Sequence, residues 1–150
     1  MYRQSLVDEQ DRDLQRILWY KDGQIVEYTL NTVTYGTNYA PYLAIRCLMQ
    51  LAEDGLTTHP LAAAALKNNS YVDDILTGGD TIESALQIRN ELIDLLRSAG
   101  MELDKWSANA DKLLPVGATA TGSKSFTDIS KTLGLVWNQT SDHFTFPTYT

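Results

Sequence analysis

Two adjacent carboxylates, Asp73 and Asp74, lie within the run Asn68-Asn69-Ser70-Tyr71-Val72-Asp73-Asp74-Ile75-Leu76-Thr77-Gly78-Gly79. Short apolar stretches flank the pair, which predicts a tight strand–turn–strand with the acids at its tip. Neighbouring negative charges repel, and a chain shaped for stability alone rarely sets them beside a buried strand. A divalent cation removes that conflict, because Mg²⁺ takes hard oxygen ligands and keeps positions open for water and phosphate. Two such ions stabilise both the attacking and the leaving oxygen of an in-line phosphoryl displacement. As an isolated tetrapeptide, Tyr71 to Asp74 is more simply read as acids decorating a solvent-exposed turn. Its companions decide between the two.

The elements that must position the pair are legible from pattern. Arg16 to Tyr20 and Ile25 to Leu30 are β-prone runs separated by Lys21-Asp22-Gly23-Gln24, and Asp-Gly between such runs signals a hairpin. Thr34 to Asn38 reads as a loop. A helix starts near Pro41, buries Ala44, Ile45, Leu48 and Leu51, and ends at Gly55. A shorter alanine-rich helix covers Pro60 to Lys67. Asp80-Thr81-Ile82-Glu83 resembles a capping box. It opens a long helix with Ile82, Leu86, Leu92, Ile93 and Leu96 on its apolar side and Gly100 as the stop. Met101 to Trp106 is a candidate strand, residues 117 to 125 a flexible connection, and 132–137 with 143–146 a last hairpin. There are no internal repeats. The layout is α+β: an antiparallel sheet with helices packed on one face.

Tyr-x-Asp-Asp between apolar strands resembles the signature of reverse-transcriptase palms, and the companions stand in that family's order. Val33 to Pro41 resembles the glycine loop that ends in Ser-Pro or Ala-Pro and opens a helix beside the incoming nucleotide. The long helix and Gly100 to Trp106 resemble the segment whose lysine approaches the departing pyrophosphate. Thr132 to Asn138 resembles the Leu-Gly hairpin that grips the primer strand. Met1-Tyr2-Arg3-Gln4, Gln15 to Trp19, Tyr35-Gly36-Thr37 followed by Ala40 to Ala44, and Leu133 to Trp137 resemble the Bel/Pao type of LTR retrotransposon in particular.

The resemblance implies a polymerase palm over residues 1–110 and the start of a primer-grip and thumb connection over 126–150. It implies an RNA-directed DNA polymerase that adds deoxynucleotides to a primer with two Mg²⁺ or Mn²⁺ ions. Asp73 and Asp74 would be metal ligands and catalytic, with Lys105 as the acid that protonates pyrophosphate. Tyr71 would stabilise the turn near the primer terminus, and Val72 is the motif's variable position. Tyr2 is either a filter against the ribose 2′-hydroxyl or a partly buried strand tyrosine. Tyr35 and Gly36 would line the nucleotide pocket, Gly36 because a loop close to a ligand favours a residue without a side chain. Leu133 and Gly134 would meet nucleic acid. Tyr2, Tyr35, Gly36 and Asp73 are expected to converge on one concavity, while Trp106 and Trp137 read as core or interface anchors.

In that family a further metal-binding aspartate stands in a stretch like Asp-Ile-Glu-Lys-Met-Tyr-Arg-Gln, which places it about four residues before Met1. Asp8, Asp11 and Asp13 follow that place and read as a solvated acidic turn. The expected partners are an RNA or DNA template-primer, dNTPs, and the rest of the polyprotein: fingers, thumb, RNase H, protease and integrase.

Lys and Arg number 12 against 19 Asp and Glu, for a net charge of −7. This opposes binding of nucleic acid by this chain's own surface, since such partners ordinarily meet a basic face. No run approaches membrane-spanning length, and no apolar signal-peptide core follows Met1. The single cysteine, Cys47, excludes an internal disulfide and fits a reducing compartment. An intracellular, cytoplasmic chain without membrane contact is expected, with Cys47 buried on its helix. Two readings compete with the polymerase. One is a catalytically dead remnant that only binds partners, favoured by the charge. The other is an unrelated Mg²⁺-dependent phosphotransferase, which leaves the glycine loop and Leu-Gly hairpin unexplained.

Overall fold

The computed structural model describes residues 2–115, 130–132 and 134–146. The flexible connection expected over 117–125 and Leu133 lie outside the described residues. The chain is α+β, with three α-helices and three separate antiparallel sheets among the described residues.

A 3-10 turn, Tyr2–Gln4, and a second 3-10 helix, Glu9–Gln15, precede the first hairpin. The Asp8 side chain caps the second helix by accepting from the Gln10 N–H at 3.0 Å. Strands β1 (Arg16–Lys21) and β2 (Gln24–Thr29) pair as predicted. They turn through Asp22-Gly23 with positive φ at both residues, the twist a two-residue hairpin needs. Register puts Ile17, Trp19, Val26 and Tyr28 on one face and Leu18, Tyr20 and Ile25 on the other. Neither face is covered: Trp19 is 61 % and Tyr20 71 % exposed. Gln15 fastens this hairpin to the next segment, its side-chain amide donating to the carbonyls of Leu30 and Thr32 at 3.1 and 3.2 Å.

Helix α1 (Ala40–Asp54) buries Ala44, Leu48 and Ala52. Ile45, expected on that face, is exposed, and so is Cys47. Ala52, four residues after Leu48, takes the core position that Ile45 was expected to share. Helix α2 (Pro60–Asn69) is buried at Ala62, Ala63, Ala65 and Leu66, because it runs between α1 and α3. Alanines suit a helix with neighbours on two sides: they favour the helix and let the axes approach closely.

Helix α3 (Ile82–Ser98) is capped one residue later than predicted. Thr81 accepts from the Ser84 N–H and the Ser84 hydroxyl answers the Thr81 backbone, so Asp80 and Glu83 are not the box. Its buried side carries Leu92, Leu95 and Leu96, whereas Ile82 is exposed. Gly100, at φ +70, ends it with a left-handed turn that glycine adopts without Cβ strain. The Met101 N–H returns to the Leu96 carbonyl and the Gly100 N–H to Arg97, both at 2.9 Å.

These helices close the main core, with Met101 buried and Ile75 and Leu103 packed against it. Met101 to Trp106 has no strand partner and is not a strand. The predicted alternation is present (Met101 and Leu103 inward, Glu102 and Asp104 outward), but a sheet needs a neighbour as well as a pattern. The chain beyond is held to α3 by Arg89, which donates to the carbonyls of Lys112, Leu113 and Leu114 at 3.1 to 3.3 Å. The last sheet has three strands where a two-stranded hairpin was expected: β5 (Ser130–Thr132), β6 (Leu135–Asn138) and β7 (His143–Thr145). Thr132 belongs to β5, and the turn at Gly134 separates it from β6. No helix among the described residues is long and apolar enough to cross a membrane.

Candidate active site

Helix α2 runs directly into strand β3 (Ser70–Tyr71), which pairs with β4 (Asp74–Ile75) in the register Ser70↔Ile75 and Tyr71↔Asp74. Val72 and Asp73 form the turn, so the predicted hairpin with the acid pair at its tip is present. Its base is fixed from three sides. The Ser70 hydroxyl donates to the Leu66 carbonyl at 2.6 Å, and the Leu76 N–H reaches the Asn69 carbonyl at 2.9 Å. The Asn69 amide donates to the Leu76 carbonyl at 3.0 Å. Ile75 packs into the helical core. The tip is free: Tyr71, Val72, Asp73 and Asp74 are all exposed.

The favoured two-residue hairpin loops have a positive φ at their first central residue. Here that residue is Val72, at φ +53. A β-branched side chain in this region costs about 1–3 kcal/mol, and glycine would relieve it. The tip therefore holds backbone strain at the residue preceding the acid pair.

The hairpin forms part of an open cleft of about 550 Å³. Val72 to Thr77 contribute from the hairpin, and Met101 to Ser107 from the stretch after α3. Leu48, Leu92, Leu96, Gln4 and Trp137 complete the lining. Asp73, Asp74 and Lys105 thus line one cleft although Lys105 lies 31 positions after Asp74 in the chain. Lys105 has φ +55, a left-handed backbone that turns the chain just before Trp106. Glu102 and Asp104, which no motif in the sequence marks, also line the cleft. Four carboxylates against one ammonium make it strongly electronegative, so a bare phosphate is repelled and a cation attracted.

The donor set defines which cations it suits. Among the described residues no three His, Cys, Asp or Glu side chains come together to hold a metal ion. Two carboxylates at one turn fit a Mg²⁺ whose shell is completed by water and substrate phosphates, the usual mode for this ion. They do not by themselves enclose a second ion.

Tyr2, Tyr35 and Gly36 are not part of this cleft's lining. Residues 5–7 run beside 31–33, with the Val7 N–H on the Asn31 carbonyl and the Val33 N–H on the Ser5 carbonyl. This seats Tyr2, 8 % exposed, against Val33, Ala40 and Ala44. Its ring meets that of Tyr35 edge-on, centroids 4.6 Å apart. Tyr2 thus packs as a core aromatic, and Gln4 of the same 3-10 turn is the residue that reaches the cleft. Gly36 has φ +85, and a Cβ there would meet nothing within 4 Å. Backbone conformation, rather than crowding, accounts for this glycine. Gly134 is likewise open, at φ +78.

No protein-family model, no curated protein and no solved structure matches this chain.

Proposed function

We propose that this chain is the palm portion of an RNA-directed DNA polymerase of the Bel/Pao retrotransposon type. In this reading Asp73 and Asp74 hold the cation that carries a nucleotide's triphosphate. The observation that carries the proposal is the acid pair at the strained tip of a two-residue β-turn, opening on a cleft that also contains Lys105. Strain of this kind is maintained where a turn must aim particular groups, and sequences selected only for stability place glycine there.

In this reading the chain's own groups divide the work. The two carboxylates set where the triphosphate lies, and the rigid hairpin base keeps them aimed. A bound divalent ion supplies charge neutralisation to the phosphates. The Lys105 Nζ donates its proton to a non-bridging oxygen of the departing pyrophosphate, a general-acid role open to lysine. The β5–β6 turn at Gly134 offers its backbone to the primer strand. A palm-like arrangement of the separate hairpins and the helices belongs to the same proposal.

That no three His, Cys, Asp or Glu side chains among the described residues are grouped to share one metal ion favours a second reading, a module that binds nucleotide without catalysis. The test is Mn²⁺ titration followed by electron paramagnetic resonance, with and without a dNTP, then primer extension on an RNA template. Ion binding should strengthen when nucleotide is present and weaken at least tenfold in Asp73→Asn. Extension separates the polymerase from the binding module. Nucleotide binding indifferent to both the ion and Asp73 removes the polymerase reading, and absence of nucleotide binding removes both.

A further inference from the structure

We infer that strand β2 pairs edge to edge with β2 of a second copy of this chain, antiparallel about a two-fold axis at Val26, so that the two hairpins form one sheet. The inference is independent of what the acid pair binds.

The β1–β2 hairpin carries an unusual amount of uncovered apolar surface. Ile17, Leu18, Trp19, Tyr20, Ile25 and Tyr28 are all exposed, Leu18 and Ile25 at 70 % each. Trp19, Tyr20 and Tyr28 are aromatic, and such side chains bury about 150–250 Å² apiece when covered. Together the exposed groups reach roughly the 300–600 Å² of the largest apolar patch on an ordinary monomer, a size that marks interaction sites. A two-stranded ribbon is also only marginally stable by itself. Among the described residues no third strand joins it, so both of its edges are open.

Register and charge select the edge and the axis. The turn at Asp22-Gly23 closes on the pair Lys21↔Gln24, which is hydrogen-bonded, and bonded pairs alternate along an antiparallel ladder. At the open end the Leu30 N–H on the Gln15 carbonyl keeps the same alternation. Trp19↔Val26 is therefore bonded within the hairpin, and the N–H and C=O of Ile25 and Glu27 face outward from β2. A two-fold at Val26 sets Ile25 of each copy opposite Glu27 of the other, where these outward groups exchange hydrogen bonds. It also continues the row Trp19, Val26 into Val26 and Trp19 of the second copy on one face, the cross-strand contact that stabilises sheets. An axis at Glu27 would oppose two carboxylates, which is destabilising, and one at Ile25 would set Glu27 against the turn. The other edge is guarded: β1 begins at Arg16 and ends at Lys21, and charged residues, lysine above all, discourage edge pairing. Strand β2 has no basic residue, and its one charge, Glu27, is already paired with Arg16. An edge contact of this size makes a weak, reversible dimer.

Sedimentation equilibrium of the full chain over a concentration series tests the association, and disulfide trapping tests its register. The trapping uses a Cys47→Ser background, because Cys47 is exposed. There Val26→Cys should cross-link two copies in mild oxidant, since residues facing each other at a non-hydrogen-bonded pair stand about 4.5 Å apart at Cα, within disulfide reach. Ile25→Cys, whose counterpart in the other copy is displaced along the strand, should cross-link about tenfold more slowly. Val26→Lys opposes two ammonium groups across the axis and should weaken the dimer several-fold, with the far-ultraviolet circular dichroism unchanged. The trapping result stands whether or not the lysine variant folds. A chain that stays monomeric throughout the series, equal cross-linking at positions 25 and 26, or a dimer indifferent to Val26→Lys overturns the pairing. Masses that grow past the dimer overturn it too, because they mean β1 of one copy on β2 of the next, a contact that does not close.

Discussion

The carboxylate of Glu91, in the middle of α3, accepts the backbone N–H of Leu61 at 2.8 Å and of Ala62 at 3.2 Å. Helix α2 thereby receives from another helix the cap that its own sequence lacks. His59, at its N-cap position, makes no side-chain cap bond, and Pro60 brings no N–H. The contact ties α2 to α3 where α2 begins, and α2 ends in the hairpin that carries Asp73 and Asp74. A glutamate inside one helix is thus part of what orients the acidic tip.

Replacing Glu91 should accordingly loosen the fold. Glu91→Ala strands two N–H groups and removes a negative charge from a helix N-terminus, so a loss of about 1–2 kcal/mol is expected. At about 2–4 °C per kcal/mol for a chain of this size, the melting temperature should fall by several degrees. Glu91→Gln keeps an acceptor and should recover part of the loss. A melting temperature unchanged in Glu91→Ala would show that water caps α2 equally well.

Leu66 is fully buried at the end of α2 that leads into β3. Truncation to alanine should cost about 2–5 kcal/mol, transfer and cavity contributions together. Urea unfolding monitored by circular dichroism measures it. A cost below about 1 kcal/mol would mean that the three helices close over the vacancy, as a loosely packed core would.

Local signals carried most of the elements. Asp22-Gly23 determines a hairpin by its backbone preferences, Gly100 a helix stop, and the apolar flanks of Asp73-Asp74 a turn; all three are where the pattern puts them. What the sequence did not disclose depends on neighbours distant in the chain. Ile45 and Cys47 lie on a helix of the expected extent, yet Ala52 occupies the core side. The alternation from Met101 to Asp104 has no adjacent strand to pair with. Each hairpin is announced by its own turn, but no turn residue states which hairpins join, and the three remain separate sheets. The site divides the same way. The acid pair was legible because its charges conflict locally. The lining by Glu102, Asp104, Trp106 and Trp137 arises only when α3 turns the chain back at Gly100. Tyr2 carries no local mark separating a packed ring from a ligand contact, and packing settles where it sits.

Strain at Val72 is separable from binding. Val72→Gly removes a β-branched residue from φ +53. The relief of about 1–3 kcal/mol exceeds the added unfolded-state freedom of glycine, about 0.5–1 kcal/mol. The variant should therefore melt slightly higher than the wild type. If the strained turn aims Asp73, nucleotide–Mg²⁺ affinity should fall at the same time. A lower melting temperature would indicate that contacts of the valine side chain, rather than its backbone, set the balance at this turn.

The sharpest expectation concerns opposite signs in a single substitution. Asp73 and Asp74 are neighbours on an exposed turn in a cleft that also holds Glu102 and Asp104. Without a cation their repulsion is uncompensated. Between solvent-exposed charges it is small, on the order of 1 kcal/mol or less once salt screening is included. Asp73→Asn removes one of these charges at nearly constant volume, so the variant should be marginally more stable than the wild type in chelator. Adding Mg²⁺ and dGTP should reverse the order. The wild type gains stability by binding, with about 2.7 kcal/mol expected at a ligand concentration one hundred times the dissociation constant, while the variant gains much less. Melting curves in EDTA and in saturating Mg²⁺–dGTP supply both halves of the comparison. A crossing of the two orders is what a functional acid pair produces. If Asp73→Asn is the more stable protein under both conditions, the acids decorate an exposed turn, and the phosphate-binding reading of this cleft is wrong.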